Sequence, residues 1–141
     1  MNKTIDLHVH STASDGTFTP TELVFEAKRC NLSAFALTDH DTVDGVAEAL
    51  EAGKQEGLEV IPGVELSTEY NDVEIHVVGL FIDQSNESLQ AGLAKFRDNR
   101  DNRNFKMIER LQQEGFNITA EELYRRNPDT VVARPHIARY L

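Results

Sequence analysis

The sequence has a single cysteine, Cys30, and no long apolar run. One cysteine excludes a disulfide bond within the chain and is typical of a protein from a reducing compartment. No apolar stretch approaches the roughly 20 residues that a membrane-spanning helix needs. Met1–His10 also has no apolar segment of the kind found in signal peptides. We therefore expect a cytoplasmic protein without membrane contact, and its 141 residues suit one domain.

Basic residues are scarce in the first part of the chain. Residues 1–90 have 4 Lys+Arg against 17 Asp+Glu, whereas residues 91–141 have 10 against 7. Such an acidic region disfavours stable binding of a nucleic-acid duplex, whose phosphates attract cations. It suits a metal site, because clustered carboxylates need a cation to lie close together. For most of these acidic residues a solvated surface is the simpler interpretation.

Short strands and helices alternate in residues 1–86. The predicted strands are Thr4–His10, Ala34–Leu37, Leu58–Ile61, Val64–Thr68 and Val73–Phe81. A helix is predicted to begin at Thr19 with a capping box, and a second to run from Asp44-Gly45 to Gly57. Pro62-Gly63 is predicted to end the third strand. This order predicts an α/β sheet or barrel, although the chain is too short to close an eight-unit barrel of roughly 250 residues.

Residues 87–141 are predicted to be helical. Glu87–Glu114 is predicted as one long helix, followed by a short helix from Thr119 to about Arg126 and a last helix from Arg134-Pro135. We expect this segment to be an insertion or cap that follows the sheet portion. The long helix has four arginines spaced to share much of one side: Arg97, Arg100, Arg103 and Arg110. The interleaved Asp98 and Asp101 favour a solvated face over a surface that steers a polyanion.

Histidines and carboxylates recur on or just after the predicted strands. His8 and His10 share one face of the first strand, because residues two apart point the same way. Asp15 lies in the following polar loop. Thr38–Asp41 follows the second strand, at the end where α/β folds build their sites. Glu65 and His76 alternate with apolar neighbours on the later strands.

Each of these residues alone also has an ordinary structural explanation. The alternatives are paired surface histidines for His8 and His10, a turn for Asp15, a helix N-cap for Asp41 or Asp44, and solvent exposure for Glu65 and His76. A structural role for His40 is harder to supply. The set as a whole favours a metal site, since mixed imidazole and carboxylate ligands bind Mn²⁺, Fe²⁺ and Zn²⁺. A carboxylate among histidines is also the usual bridge in multi-metal hydrolases.

Three segments resemble the motifs of the PHP (polymerase and histidinol phosphatase) superfamily. Asp6–Gly16 is similar to the first motif, Thr38–Asp41 to the second, and Pro62–Glu65 with Glu74–Gly79 to the third. Their order and spacing match, and the resemblance covers nearly the whole chain. It implies that the fold is the N-terminal part of a distorted (β/α)7 barrel, residues 1–86, with a helical insertion, residues 87–141.

The resemblance also implies a centre of up to three divalent metal ions. Carried over by position, His8 and His10 would hold one ion, and Asp15 and His40 a second. Glu65 would bridge the first ion to a third, which His76 would hold. The expected metal is Mn²⁺, with Fe²⁺ or Zn²⁺ as alternatives. Arg134 and His136 lie in Arg134–Arg139, which is similar to a segment of the family's helical insertion, and are candidates to contact a substrate phosphate.

The activity implied is hydrolysis of phosphate esters by a metal-activated hydroxide. The substrates would be nucleoside 3′,5′-bisphosphates or the 5′ ends of short oligonucleotides. A phosphatase for a small metabolite such as histidinol phosphate, or an inactive metal-binding fragment, are the alternatives. The family's remaining ligands belong to the second half of the barrel, so the sequence predicts an N-terminal fragment with open strand edges and weakened metal binding.

Overall fold

The computed structural model describes residues 4–141. In this part of the chain the strands are β1 (Thr4–Val9), β2 (Leu32–Leu37), β3 (Glu59–Tyr70) and β4 (Val73–Leu80). The helices are α1 (Pro20–Arg29), α2 (Val46–Glu56), α3 (Glu87–Gln113), α4 (Ala120–Arg126) and α5 (Arg134–Tyr140). None of these helices combines the length and the apolar character needed to cross a membrane.

The four strands form one sheet in the order β1-β2-β3-β4. β1, β2 and β3 are parallel, whereas β3 and β4 are antiparallel and joined as a hairpin. The carboxyl ends of the parallel strands meet at one edge, as expected for an α/β sheet. β2 is buried from Ala34 to Leu37, which explains why its sequence is continuously apolar rather than alternating.

The prediction that Pro62-Gly63 ends a strand is wrong, because β3 runs through both residues. Up to Pro62, β3 pairs with β2, and from Gly63 onward it pairs with β4. The proline lies where the partner changes, so its missing N–H interrupts neither ladder. A Cβ at Gly63 would lie 2.8 Å from Thr38 Cγ2 and 3.0 Å from the backbone oxygens of Leu37 and Gly79. The close approach of three strands therefore requires glycine there.

The helix starts follow the predicted caps with one exception. The Thr19 hydroxyl and the Glu22 carboxylate form the expected capping box at α1, and Thr119 caps α4. α2 begins instead with Gly45 as N-cap and has no side-chain cap. The prediction that Asp41 or Asp44 caps this helix is wrong. Asp41 is fully buried and serves another purpose, described below.

Two apolar clusters stabilise the fold, and α3 joins them. The first contains Phe35, Leu37 and Val64 of the sheet together with residues of α1 and α2, and it includes Leu93 of α3. The second lies among α3, α4 and α5 and includes Ile108 of α3. The long helix therefore fixes the helical segment against the sheet, because its two halves contribute to separate cores.

Two glycine substitutions are expected to change stability in opposite directions. Gly63→Ala should lower the free energy of unfolding by about 1–3 kcal/mol, because its Cβ would overlap backbone atoms that cannot move freely. Gly92→Ala, inside α3, meets nothing within 4 Å and should raise the free energy of unfolding by about 0.5–1 kcal/mol. Urea denaturation of both variants measures this, and a Gly63→Ala protein as stable as the parent would contradict the account of β3.

Candidate metal centre

Six of the predicted site residues converge at the carboxyl edge of the parallel strands. They form three overlapping trios whose nitrogen and oxygen atoms lie within 4.8 Å of one another. The trios are His8, His10 and Glu65; His10, Asp15 and His40; and His40, Glu65 and His76. The structure thus brings together every residue that the sequence proposed as a metal ligand.

Glu65 lies at the centre of this cluster. Its Oε2 is 2.8 Å from Nε2 of His8 and 2.8 Å from Nε2 of His10, and its Oε1 is 2.7 Å from Nδ1 of His76. Burial opposes ionisation of this carboxyl, but its hydrogen bonds with His8 and His76 and the nearby charges lower the pKa of Glu65. Glu65 belongs to the first and third trios, as a bridging carboxylate would.

The second trio is built around Asp15. His10 Nδ1 lies 2.8 Å from Asp15 Oδ1, and His40 Nε2 lies 3.6 Å from Asp15 Oδ2. Burial would raise the pKa of Asp15, yet the hydrogen bond with His10 and the charges of His40 and Arg100 lower it to about 2. The pKa of His10 is raised. Burial alone would lower it, but the hydrogen bond with Asp15 and the charge of that carboxylate outweigh burial.

His40 is held next to Glu65 by backbone pairing beyond the ends of β2 and β3. The Asp41 amide donates to the Glu65 carbonyl at 2.9 Å, and the Glu65 amide donates to the Asp39 carbonyl at 3.1 Å. Burial, followed by the charge of Arg100, lowers the pKa of His40 to about 4. Its ring is therefore neutral at physiological pH, which is the form that binds a metal ion.

Asp39 organises the loop that follows β1, a role that sequence reasoning missed. It accepts hydrogen bonds from the Ser11 amide at 2.7 Å, the Ser11 hydroxyl at 2.6 Å and the Ser14 hydroxyl at 2.6 Å. The loop then returns so closely that a Cβ at Gly16 would lie 2.2 Å from the His10 carbonyl oxygen. Ser11 and Ser14, both fully buried, belong to the first motif, but their residue types alone did not indicate this network.

Asp41 and Arg100 form a buried ion pair that neither sequence interpretation of Arg100 anticipated. Arg100 is 5% exposed, and its Nη2 lies 2.8 Å from Asp41 Oδ2. Arg100 also donates to Ser67, and Arg97 donates to the Asp41 carbonyl at 3.0 Å. The side of α3 that carries Arg97 and Arg100 is therefore not a solvated face. These two arginines bind Asp41 and so fasten the helix to the loop that carries His40.

The chain also returns from the helical segment to the loop that carries Asp15. The Thr130 hydroxyl donates to the carbonyls of Thr12 and Ser14, and the Val131 amide donates to the Ala13 carbonyl. Arg139 donates to the Asp15 carbonyl at 3.2 Å. These contacts bridge more than 100 residues of sequence, so no local pattern could have revealed them.

Arg134 and His136, the predicted phosphate contacts, lie outside the three trios. Arg134 Nη2 donates to Glu74 Oε2 at 2.8 Å, and this hydrogen bond is the largest cause that lowers the pKa of Glu74 to about 2. His136 Nδ1 accepts from the Ala133 amide at the start of α5. Burial lowers the pKa of His136, and Arg139 adds to this effect. Their contact with a phosphate stays a prediction.

The chemistry of this cluster fits divalent metal ions. Among the residues that the structure describes, His40 Nδ1 is buried without a hydrogen-bond partner, although it lies only 3.5 Å from Glu65 Oε2. A buried, unpaired ring nitrogen beside carboxylates is an open ligand position. The mixture of imidazole nitrogens and carboxylate oxygens suits Mn²⁺, Fe²⁺ or Zn²⁺.

Removal of Arg100 should destabilise the protein strongly. The Arg100→Ala substitution leaves the fully buried Asp41 carboxylate unpaired, which we expect to cost about 3–5 kcal/mol of unfolding free energy. Arg110→Ala, on the same helix but exposed, should change stability by less than about 0.5 kcal/mol. Urea denaturation compares the two variants. Equal effects would show that the ion pair does not fasten α3 to the site.

The stability of the metal-free protein should fall in mild acid because of His40. Its folded pKa of about 4 lies below its ordinary 6.5, so between these values the unfolded chain takes up a proton that the folded chain refuses. Relative to His40→Asn, the parent should lose on the order of 3 kcal/mol of unfolding free energy as the pH falls from 6.5 to 4. Denaturation midpoints across this range test the prediction, and a constant difference between the two proteins contradicts it.

Comparison with known proteins identifies the family. The PHP domain family matches residues 6–133 of the chain. A 5′-3′ exoribonuclease of Haemophilus influenzae is 41% identical over 100% of this chain and 51% of its own length. A 3′,5′-nucleoside bisphosphate phosphatase of Chromobacterium violaceum is 39% identical over 97% of this chain and 48% of its own length. The chain therefore spans about half the length of these curated relatives.

Solved structures agree with this result. A Bifidobacterium adolescentis protein assigned as a metal-dependent phosphoesterase superposes with a TM-score of 0.88 at 37% identity, covering 97% of this chain and 49% of that one. An amidohydrolase of Chromobacterium violaceum with bound sulfate and no metal gives a TM-score of 0.87 at 39% identity, with 97% and 49% coverage. The chain belongs to the PHP domain family, and its four-stranded sheet and helices are part of the α/β PHP barrel.

Proposed function

We propose that this chain contributes the metal-binding part of a phosphoesterase that hydrolyses phosphate esters of nucleotides or short oligonucleotides. The observation that carries the proposal is the convergence of four imidazoles and two carboxylates in three overlapping trios. The ligands would be His8, His10, Asp15, His40, Glu65 and His76. Mn²⁺ is the proposed metal, and Fe²⁺ and Zn²⁺ suit the same ligands.

The residues of the chain prepare this site before an ion binds. The lowered pKa values of Glu65 and Asp15 keep both carboxylates ionised, and the lowered pKa of His40 keeps its imidazole neutral. Asp39 and Arg100 hold the loops that carry these ligands, so little reorganisation accompanies binding. Bound divalent ions would activate water and stabilise the charge that develops on the phosphoryl oxygens.

The relatives supply the proposed substrate class. The Haemophilus influenzae relative is named as a 5′-3′ exoribonuclease and the Chromobacterium violaceum relative as a 3′,5′-nucleoside bisphosphate phosphatase. We propose that this chain takes part in one of these two activities. In this proposal the substrate approaches past the helical segment 87–141. Arg134 is 53% exposed, and its guanidinium has donors beyond those that contact Glu74, which suits contact with a phosphate. The single free Cys30 suits a cytoplasmic location.

The proposed activity predicts metal-dependent release of phosphate. A nucleoside 3′,5′-bisphosphate should be hydrolysed by the Mn²⁺-loaded protein, and EDTA should reduce the rate to background until Mn²⁺ is restored. The double variant His8→Ala/His10→Ala should show no release at any Mn²⁺ concentration, because it removes two of the three ligands of the first trio. A colorimetric phosphate assay measures these rates.

Circular dichroism serves as the control that the double variant is folded. His8 and His10 lie at the carboxyl end of β1 and outside both apolar clusters, so the fold should survive their loss. Hydrolysis that persists in the folded double variant, or that EDTA leaves unchanged, would contradict the proposed function.

A further inference from the structure

A groove of about 1300 Å³ lies between the β3–β4 hairpin and α3, beside the candidate metal centre. Ser67 and Glu74 line it. They lie on the hairpin face that carries Glu65 and His76, because residues two apart on a strand point to the same side. The opposite wall is α3, whose basic residues in the groove are Arg100, Arg103 and Lys106. The groove therefore extends away from the metal centre past a row of cations.

Arg103 and Arg134 converge on one carboxylate in the part of this groove next to the metal centre. Glu74 Oε1 accepts from Arg103 Nη1 at 3.0 Å, and Glu74 Oε2 accepts from Arg134 Nη2 at 2.8 Å. The same Oε1 lies 3.2 Å from Nε2 of His76. A single carboxylate oxygen thus separates the Arg103 guanidinium from a candidate metal ligand.

The two guanidiniums leave positive charge uncompensated. Glu74 supplies one negative charge for both arginines, and Arg100 is already paired with the buried Asp41. Burial and then the charges of Arg100 and Arg134 lower the pKa of Arg103, so its cationic form is held against repulsion. The other acids of the groove are all exposed, where solvent screens them: Glu69, Asp72 and Glu109. An anion beside Arg103 would relieve the repulsion.

The guanidinium of Arg103 also has unused hydrogen-bond donors. An arginine side chain carries five N–H groups. Besides Glu74, the one further acceptor of Arg103 within residues 4–141 is Asn104 Oδ1, 3.4 Å from Nη2. Its Nε is buried and has no partner in this part of the chain. Phosphate oxygens suit these donors, because they accept paired hydrogen bonds from an arginine fork.

We propose that Arg103, together with Arg134, binds a second phosphate of the substrate beside the metal centre and so selects substrates with two neighbouring phosphates over monophosphates. The inference rests on the proposed function, because the first phosphate is the one that the metal centre would hold. The ligand is a phosphate one nucleotide unit away from the reacting one. A nucleoside 3′,5′-bisphosphate and the 5′ end of an oligonucleotide share this chemistry.

The first test is binding by the metal-free protein, followed by ¹H–¹⁵N NMR during titration with adenosine 3′,5′-bisphosphate in EDTA. The parent should bind, with shifts in the amide signals of α3 around Arg103. Arg103→Gln should weaken binding about 10-fold or more, because it removes a charged donor. A parent that binds no bisphosphate, or an Arg103→Gln protein that binds it as tightly as the parent, would overturn the proposal.

Arg110→Gln is the matched control. It removes the same charge from the same side of α3, two turns beyond Arg103 and outside the groove, and should bind as the parent does. An equal loss in Arg110→Gln would show general attraction of charge and contradict the proposal. Arg103→Lys keeps the charge without the fork and should bind with intermediate affinity. It replaces Arg103→Gln if circular dichroism finds that variant unfolded, and parent-like affinity then counts against the proposal.

The second test is selectivity of the Mn²⁺-loaded protein. The ratio of kcat/KM for adenosine 3′,5′-bisphosphate to that for the 3′- and 5′-monophosphates should fall about 10-fold in Arg103→Gln and stay at the parent value in Arg110→Gln. A 5′-phosphorylated dinucleotide, compared in the same way, shows whether the site takes the second phosphate from an oligonucleotide as well. Equal losses for bisphosphate and monophosphates would indicate a merely structural role and overturn the proposal. The NMR titration needs no metal, so a parent that binds the bisphosphate but hydrolyses nothing would count against the proposed function alone.

Discussion

The convergence of three imidazoles on the buried carboxylate of Glu65 is the interaction on which the rest of the structure depends. A carboxylate that is 4% exposed is costly to ionise unless donors or cations surround it. His8 of β1 and His76 of β4 form hydrogen bonds with this carboxylate, and Nε2 of His10, directly after β1, lies 2.8 Å from its Oε2. Glu65 lies on β3 just past Pro62-Gly63, in the stretch that pairs with β4 and where a Cβ at Gly63 would meet Thr38 and the backbone of Leu37 and Gly79.

The helical segment completes this arrangement rather than standing apart from it. Arg100 neutralises the buried Asp41 beside His40, Thr130 holds the loop that carries Asp15, and Arg134 reaches Glu74. Each contact joins a residue after position 99 to a loop or strand of the first 86 residues. The geometry of the candidate metal centre is thus set by long-range polar contacts as well as by the sheet, which is typical of sites with fixed ligands.

The sequence predicted the parts of this structure that follow local rules. Strand alternation placed His8 and His10 on one face, and the capping boxes placed the starts of α1 and α4. The resemblance to the PHP superfamily, confirmed by the family match, supplied the fold that local patterns leave open. Local rules failed where tertiary contacts decide: Pro62-Gly63 continues a strand because two different partners flank it, and Arg100 is buried because Asp41 lies opposite. Arginine spacing on a helix carries no information about such a partner.

The most direct test is the metal content of the chain, purified without chelator, compared with that of Glu65→Gln. Elemental analysis should find up to three Mn, Fe or Zn ions per parent chain, one for each trio, and a loss of at least one ion in Glu65→Gln, which alters two trios. Glu59→Gln, an exposed change on the same strand, should retain the parent content. A parent without bound metal, or a Glu65→Gln protein with undiminished metal, would contradict the account.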